Sequence, residues 1–146
     1  MELKKLFRGI ELFEGLTDSE LDEIATICQP RRFTKGDLLA VEGEPGGDLF
    51  IITSGTVEII VESHKATPRV VINLSTGQLI GEMSLVDRGA RSATVRAVQD
   101  PTTVQCIRYQ DFHNLCKHNN HIGYVIMHNL AADLSFKLRH SNLSNT

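Results

Sequence analysis

The sequence has few cysteines and no long apolar run, and each shortage excludes classes of protein. The three cysteines, Cys28, Cys106 and Cys116, are odd in number and include no CxxC pair. This argues against a disulfide framework and against a zinc or iron–sulfur site, and favours buried, reduced thiols. The longest apolar runs, such as residues 49–52, have the length of a strand. They fall far short of the roughly 20 residues that span a bilayer, so we expect no membrane segment.

Length and charge predict one globular domain that does not bind DNA by itself. The chain has 146 residues, of which 41% are hydrophobic and 23% charged. This is the size and composition of a single soluble domain, spanning residues 1–146. The net charge of -3 provides no broad cationic field for nucleic acid. The N-terminus lacks the apolar core and cleavage site of a secretory signal, so we expect a cytoplasmic protein.

The first 29 residues are predicted to be helical, because apolar side chains recur there at helical spacing in two places. These two faces consist of Leu3, Leu6, Phe7 and Ile10, and of Leu21, Ile24, Ala25 and Cys28. Thr17 and Glu20 form a start signal for the second helix. A threonine hydroxyl can accept from the third helical amide, while a glutamate three residues later reaches back. We expect Pro30 to end this helix.

Residues 30–109 change to the period of two that is typical of β-strands. In residues 57–62, valine and isoleucine at the odd positions alternate with Glu58, Ile60 and Glu62, which predicts a half-buried strand. Similar alternation recurs in residues 70–74, 93–97 and 104–106. Seven or eight short strands separated by turn residues predict an antiparallel β jelly roll. The predicted fold class is α+β, with this jelly roll (a double-stranded β-helix) flanked by N-terminal helices and a long C-terminal helix.

Residues 110–140 return to helical spacing. A short helix is predicted around Phe112 and Leu115, followed by a polar break at Asn119 and Asn120 and then by a long helix. The polar tail, residues 141–146, is expected to fray. The long helix has a single apolar stripe, which consists of Met127, Leu130, Ala131, Leu134 and Leu138.

Residues 80–95 contain the most informative pattern. Gly81 and Glu82 open a short segment between two predicted strands, and Arg91 follows nine positions after Glu82. This arrangement resembles the phosphate-binding cassette of cyclic-nucleotide-binding domains. The resemblance covers roughly residues 10–140. Its further motifs, in the order of the family, are Lys35-Gly36-Asp37, Glu42-Gly43, the segment 48–57 and Gly77-Gln78.

The resemblance implies a site for the ribose phosphate of a cyclic nucleotide. The Arg91 guanidinium can meet the cyclic phosphodiester with two parallel hydrogen bonds, and backbone amides at the start of the cassette helix also favour an anion. A carboxylate at Glu82 can accept the proton of the ribose 2′-hydroxyl, while Gly81 lets the backbone approach the sugar closely. The expected ligand-binding residues are Gly81, Glu82, Met83, Ser84, Arg91, Ser92, Ala93 and Leu138.

Some of these residues also have a purely structural interpretation. Ser92 could bind backbone or water at a strand edge instead of the phosphate. Glu82 and Arg91 could form a surface ion pair, which would contribute only about 0–1 kcal/mol. The ligand is expected to be cAMP, with cGMP as the alternative, because some guanine-selective relatives have threonine where this chain has Ser92. The family implies no enzymatic activity and no cofactor other than the ligand.

The resemblance implies that the last helix transmits ligand binding to a partner. In the family this helix commonly covers the ligand and can pair with its twin. We therefore expect a contact with the base from Leu138, with Lys137 or Arg139 as polar neighbours. Two uses of the apolar stripe stay open, pairing in a homodimer and packing on the chain's own barrel. Transcription-factor relatives continue into a DNA-binding domain where this chain ends. We expect a stand-alone sensor, or part of a larger assembly, that acts through an unknown partner protein.

Two other classes of protein stay open. One is a ligand-free protein-interaction domain of the same fold, and the other is a cupin-like metal-binding protein. His118, His121 and His128 are loosely spaced, with no cysteine or carboxylate to complete a tetrahedral set. The predicted strands offer His64 at most. We expect solvated histidines and no metal site.

Overall fold

The computed structural model describes residues 3–62 and 68–144. Within these ranges the chain forms four α-helices, two 3-10 helices and eight β-strands, in the predicted order of helices, jelly roll and helices. The helices are α1 (Leu3–Arg8), α2 (Asp18–Thr26), α3 (Tyr109–His118) and α4 (Asn120–Ser144), with 3-10 helices at Glu11–Phe13 and Glu82–Leu85. The strands are β1 (Cys28–Phe33), β2 (Leu38–Ala40), β3 (Asp48–Ser54), β4 (Thr56–Glu62), β5 (Pro68–Ser75), β6 (Leu79–Ile80), β7 (Thr94–Ala97) and β8 (Thr102–Arg108).

Two four-stranded antiparallel sheets form the jelly-roll sandwich. The first has the strand order β1-β8-β3-β6, and the second has the order β2-β7-β4-β5. Apolar side chains from both sheets meet between them, among them Phe50 and Val104 from the first sheet and Val57 and Val95 from the second. The predicted α+β jelly roll is therefore confirmed.

The helices pack on the outer face of the first sheet, so its strand β3 is buried on both sides, while most of the edge strand β1 is exposed. In β3, Phe50 and Ile52 point into the sandwich, while Leu49 and Ile51 pack against the helices. A second hydrophobic core thus lies between the first sheet and the helices, and the helices contribute Phe7, Ile24, Phe112, Ile122 and Ile126 to it. Because β3 has apolar neighbours on both faces, its sequence is an uninterrupted apolar run instead of an alternation.

The N-terminal boundary between helix and strand differs from the prediction. The predicted capping box is confirmed, since the Glu20 amide donates to Thr17 Oγ1 at 3.2 Å and the Thr17 amide donates to Glu20 Oε1 at 3.0 Å. The helix, however, ends at Thr26, and both Cys28 and Pro30 belong to β1. The prediction that Pro30 ends the helix was wrong. A proline is tolerated in β1 because this strand lies at the edge of its sheet.

The alternation predicted for β4 holds only in part. Val57 is buried as predicted, but Ile60, which the pattern placed with the glutamates on the outer face, is buried as well. A register shift lies between Ile59 and Ile60 in the pairing with β5. Such an irregularity moves the following side chain to the opposite face, which a strict period of two cannot represent.

Helix α4 is longer than predicted, and its last turns are exposed. It runs to Ser144, through the start of the tail that was expected to fray. In its first half Leu130 is buried, and Met127 and Leu134 pack on the helical core. Leu138 is exposed. Across residues 3–62 and 68–144, no helix is both long enough and apolar enough to cross a membrane.

Candidate functional site

An open cavity of about 480 Å³ lies beside the 3-10 helix Glu82–Leu85. Strands β4, β5 and β7 contribute apolar side chains to its wall, and the segment 79–93 contributes most of its polar groups. Seven of the eight predicted ligand-binding residues line it, namely Gly81, Glu82, Met83, Ser84, Arg91, Ser92 and Ala93. The folded chain thus gathers the cassette residues around one cavity.

Gly81 begins the cassette in a backbone conformation that favours glycine. Its φ of 78° lies in the left-handed region, immediately before the 3-10 helix. A Cβ at this position would also collide with Nη1 of Arg91 and would lie 3.0 Å from the carbonyl oxygen of Asp48. The glycine is therefore needed both for the turn and for the passage of the Arg91 side chain.

The guanidinium of Arg91 is fixed by two hydrogen bonds to the protein. Nη1 donates to Oγ of Ser84 at 3.0 Å, and Nη2 donates to the carbonyl oxygen of Asp48 at 2.9 Å. Its Cζ lies 5.8 Å from the centroid of the Phe50 ring. Because the two acceptors bind different terminal nitrogens, they set the plane of the guanidinium as well as its position.

Among the residues that the structure describes, no carboxylate forms an ion pair with Arg91. Burial lowers the pKa of the guanidinium from its usual value, and the Asp48 carboxylate opposes that shift. A half-buried cation beside an open cavity suits an anion that enters from outside. The surface ion pair between Glu82 and Arg91, considered as an alternative, is not formed.

Glu82 lies between this cavity and a second one. The second cavity, a groove of about 420 Å³, is also lined by Asp133 and Lys137 of α4. Lys137 Nζ pairs with Asp133 Oδ2 at 2.8 Å. Asp133 raises the pKa of Lys137, and the Glu82 carboxylate contributes in the same direction. Glu82, a predicted ligand-binding residue, therefore shares this groove with Asp133 and Lys137 of α4.

Leu138 lies apart from the other predicted ligand-binding residues. It does not line the cavity, and its side chain is 65% exposed. Phe136, in the same part of α4, is 60% exposed. The contact predicted between Leu138 and the base stays a prediction.

The junction between α3 and α4 is tied to α2 by a polar cluster that the sequence did not reveal. Asn119 has extended backbone, and its Nδ2 donates to Oε2 of Glu23 at 2.9 Å. His121 Nδ1 bonds Oε2 of Glu20 at 2.8 Å, and Glu20 is almost fully buried. The sequence indicated only the capping role of Glu20 towards Thr17, so the prediction of a solvated His121 missed this contact.

The remaining histidines and the cysteines form no metal centre among the described residues. His118 Nδ1 donates to the carbonyl oxygen of Asn114, and the His128 ring stacks on Tyr124. No group of three His, Cys, Asp or Glu side chains in residues 3–62 and 68–144 is arranged to hold a metal ion. His64, the histidine considered for a cupin-like centre, lies outside the described residues. The three cysteines are free thiols, and burial raises the pKa of Cys28 to about 12.

Comparison with known proteins agrees with this geometry. The profile of the cyclic nucleotide-binding domain matches residues 30–119. The cyclic AMP receptor protein of Thermus thermophilus is 33% identical over 136 residues, which are 93% of this chain and 61% of that protein. The cGMP-dependent protein kinase of Eimeria tenella is 30% identical over 122 residues, which are 84% of this chain and 12% of that protein.

A solved structure shows the same fold over almost the whole chain. The N-terminal domain of a transcriptional regulator from Streptomyces coelicolor A3(2) matches with a TM-score of 0.84 at 25% identity, covering 99% of this chain and 95% of that one. Fold and site together define a jelly-roll domain with an open cavity beside the 3-10 helix Glu82–Leu85. The chain belongs to the cyclic nucleotide-binding domain family. It spans only 61% and 12% of the two relatives above.

Proposed function

We propose that this domain is a cytoplasmic sensor that binds cAMP in the cavity beside Glu82–Leu85 and acts on a partner protein through α4, without catalysing a reaction. The observation that carries the proposal is Arg91. Its guanidinium is held by Ser84 and Asp48 at the wall of the cavity, and its charge is not neutralised by an ion pair with any described residue. A cyclic phosphodiester supplies one negative charge and exocyclic oxygens that suit this fork of donors.

The other residues of the cavity fit the rest of a nucleotide. The Glu82 carboxylate lines the same cavity as Arg91 and is available to accept from the ribose 2′-hydroxyl. Ser92 offers a hydroxyl to the phosphate, and the small Ala93 leaves room above the sheet. Apolar side chains from β4, β5 and β7 line the cavity and suit the face of a purine base.

Base selectivity is the finer part of the proposal, and it favours cAMP. The support is Ser92, which stands where some guanine-selective members of the family have threonine. Serine can make part of the same contact, so the preference for cAMP is expected to be modest. The relatives include a cyclic AMP receptor protein and a cGMP-dependent protein kinase. A competition titration in which cGMP binds tenfold more tightly than cAMP would overturn the preference.

Helix α4 is the proposed output element because its two halves differ. Ile122 and Ile126 are fully buried, while Phe136 and Leu138 are largely exposed and free to acquire a contact. A ligand shifts the helix only if it binds one position of the helix more tightly than another. In a homodimer through α4, the twin helix would meet the exposed face, since Met127 and Leu134 already pack on the chain's own core.

Isothermal titration calorimetry tests the proposal directly. The purified domain is titrated with cAMP, cGMP and linear 5′-AMP, which lacks the cyclic phosphodiester. We expect saturable binding of cAMP, weaker binding of cGMP, and much weaker binding of 5′-AMP. If neither cyclic nucleotide binds, the domain is a ligand-free interaction module. Measurement of bound metal after purification tests the cupin-like alternative.

A further inference from the structure

We infer that Ser84 and Gly46 position the Arg91 guanidinium and that neither contacts the nucleotide itself. This inference rests on the proposed function of the cavity. It changes the role of Ser84, which the cassette pattern predicted to touch the ligand, and it assigns a role to Gly46, which the pattern did not include.

Ser84 has the geometry of a support for Arg91. Its side chain is only 6% exposed, and its Oγ accepts from Arg91 Nη1 at 3.0 Å. The backbone oxygen of Asp48 holds Nη2 in the same way. These two acceptors occupy one N–H of each terminal nitrogen and leave the other N–H groups of the guanidinium for an anion. A side chain that is already fixed loses less rotamer freedom when the ligand binds.

Gly46 lies against Ser84 and Arg91, where there is no room for a side chain. Its amide donates to the carbonyl oxygen of Gly89 at 2.9 Å, which brings its Cα against the cassette. A Cβ at position 46 would lie 2.8 Å from Ser84 Oγ and 3.4 Å from Arg91 Nε. It would also lie 3.0 Å from the Gly89 oxygen. Any side chain at position 46 therefore crowds Ser84 Oγ and the Gly89 oxygen and comes into contact with Arg91.

The first test compares Ser84→Ala with Thr102→Val. Thr102 is a matched control, because its hydroxyl is fully buried and donates to the Gln99 carbonyl oxygen at 2.9 Å, away from the cavity. Each variant is titrated with cAMP and with its Sp and Rp phosphorothioates, in which one exocyclic oxygen is replaced by sulfur. A fixed guanidinium distinguishes the two diastereomers.

The expected result is specific to Ser84. Ser84→Ala should weaken cAMP binding by about tenfold, on the scale of one hydrogen bond to a charged group, and should bring the Sp-to-Rp affinity ratio closer to one. Thr102→Val should lower the melting temperature and leave both the affinity and the ratio unchanged. The inference is overturned if Ser84→Ala leaves cAMP binding unchanged, or if it weakens all three ligands by the same factor.

A double-mutant cycle separates positioning from direct contact. If Ser84 acts through Arg91, adding Ser84→Ala to Arg91→Ala should change the affinity by less than about twofold. A further tenfold loss in that background would show that Ser84 touches the nucleotide and would overturn the inference. Gly46→Ala should weaken cAMP binding in the natural chain. The loss should be smaller in the Ser84→Ala background, because the atom closest to the added methyl group, Ser84 Oγ, is absent there. If the natural chain binds no cyclic nucleotide, the proposed function fails instead.

Discussion

The cassette and the last turns of α4 are built in opposite ways. At the cassette end, Arg91 is held by Ser84 and by the Asp48 backbone before any ligand arrives. The last turns of α4 do not line the cavity beside the cassette, and there Phe136 and Leu138 have most of their surface in solvent. The cassette, which we call the fixed end of the domain, holds a charged side chain in place. The last turns of α4, which we call the open end, expose two large apolar side chains.

This difference follows from what each part of a nucleotide requires. A phosphate is recognised by charge, and a charged group that is half-buried must have its partners in place. A base is recognised largely by apolar contact, which can form when a helix closes over it. In the proposed function, the ligand therefore binds at the fixed end and changes the protein at the open end.

The largest effect is expected at the fixed end. Arg91→Ala should weaken cAMP binding by about 100-fold, because it leaves the phosphate charge without hydrogen bonds that contribute up to about 3 kcal/mol. Calorimetry measures the loss. Arg96→Ala is a matched control, since Arg96 pairs with Glu58 at the surface and should leave binding intact. Equal affinities of Arg91→Ala and the natural chain would contradict the assignment of the site.

A smaller loss is expected at Glu82. Glu82→Gln should weaken cAMP binding by about tenfold, because a neutral amide oxygen is a poorer acceptor for the ribose hydroxyl than a carboxylate. The same substitution should have little effect on the binding of 2′-deoxy-cAMP, which lacks that hydroxyl. Glu58→Gln provides the control for loss of a carboxylate outside the cavity. An equal loss for both ligands would show that Glu82 does not bind the 2′-hydroxyl.

At the open end we expect a change in dynamics more than in affinity. Hydrogen exchange of residues 122–139 should slow when cAMP binds, because the exposed part of α4 acquires contacts with the ligand and the barrel. Mass spectrometry of the free and saturated domain measures this change. If exchange slows only in residues 81–93, α4 is not the output element and the signal leaves by another surface.

The smallest expected effect concerns the pH dependence of stability at the α3–α4 junction. Burial opposes ionisation of Glu20, but hydrogen bonds from Thr17 and His121 outweigh it and lower its pKa below the usual 4.5. The stabilisation is therefore complete above about pH 4.5 and is lost as the pH falls through the lower pKa of the folded state. Urea unfolding of the natural chain and of Glu20→Gln should give a difference that shrinks on acidification. A difference that is constant with pH would contradict this prediction.

The sequence predicted the grouping of the cassette residues better than it predicted the local boundaries of helices and strands. The resemblance to the cassette predicted that Glu82 and Arg91 would meet, and both line one cavity because the cassette is a short continuous segment. Their role in ligand binding stays a prediction. The support of Arg91 could not be predicted, since the Asp48 oxygen is 43 positions away along the chain and is a backbone atom that any residue provides.

The errors in the predicted fold also arise from features that a local sequence pattern does not contain. Ile60 was placed on the wrong face because an irregularity in the pairing of β4 and β5 interrupts the period of two. Pro30 was taken as a helix end because its tolerance depends on the edge position of β1, which only the sheet order reveals. The 3-10 helix Glu11–Phe13 was missed because three residues are too few to show a periodicity.

The buried carboxylate of Glu20 couples helix α2, near the N-terminus, to the start of helix α4. Glu20 caps α2 through Thr17 and at the same time holds His121 at the start of α4. Rotation at Asn119 would therefore carry α2 along or break the hydrogen bonds that Glu20 and Glu23 make to His121 and Asn119. If α4 moves when the ligand binds, a fluorescent reporter attached near α2 would move with it. Ligand occupancy could then be monitored near the N-terminus, far from α4 along the chain.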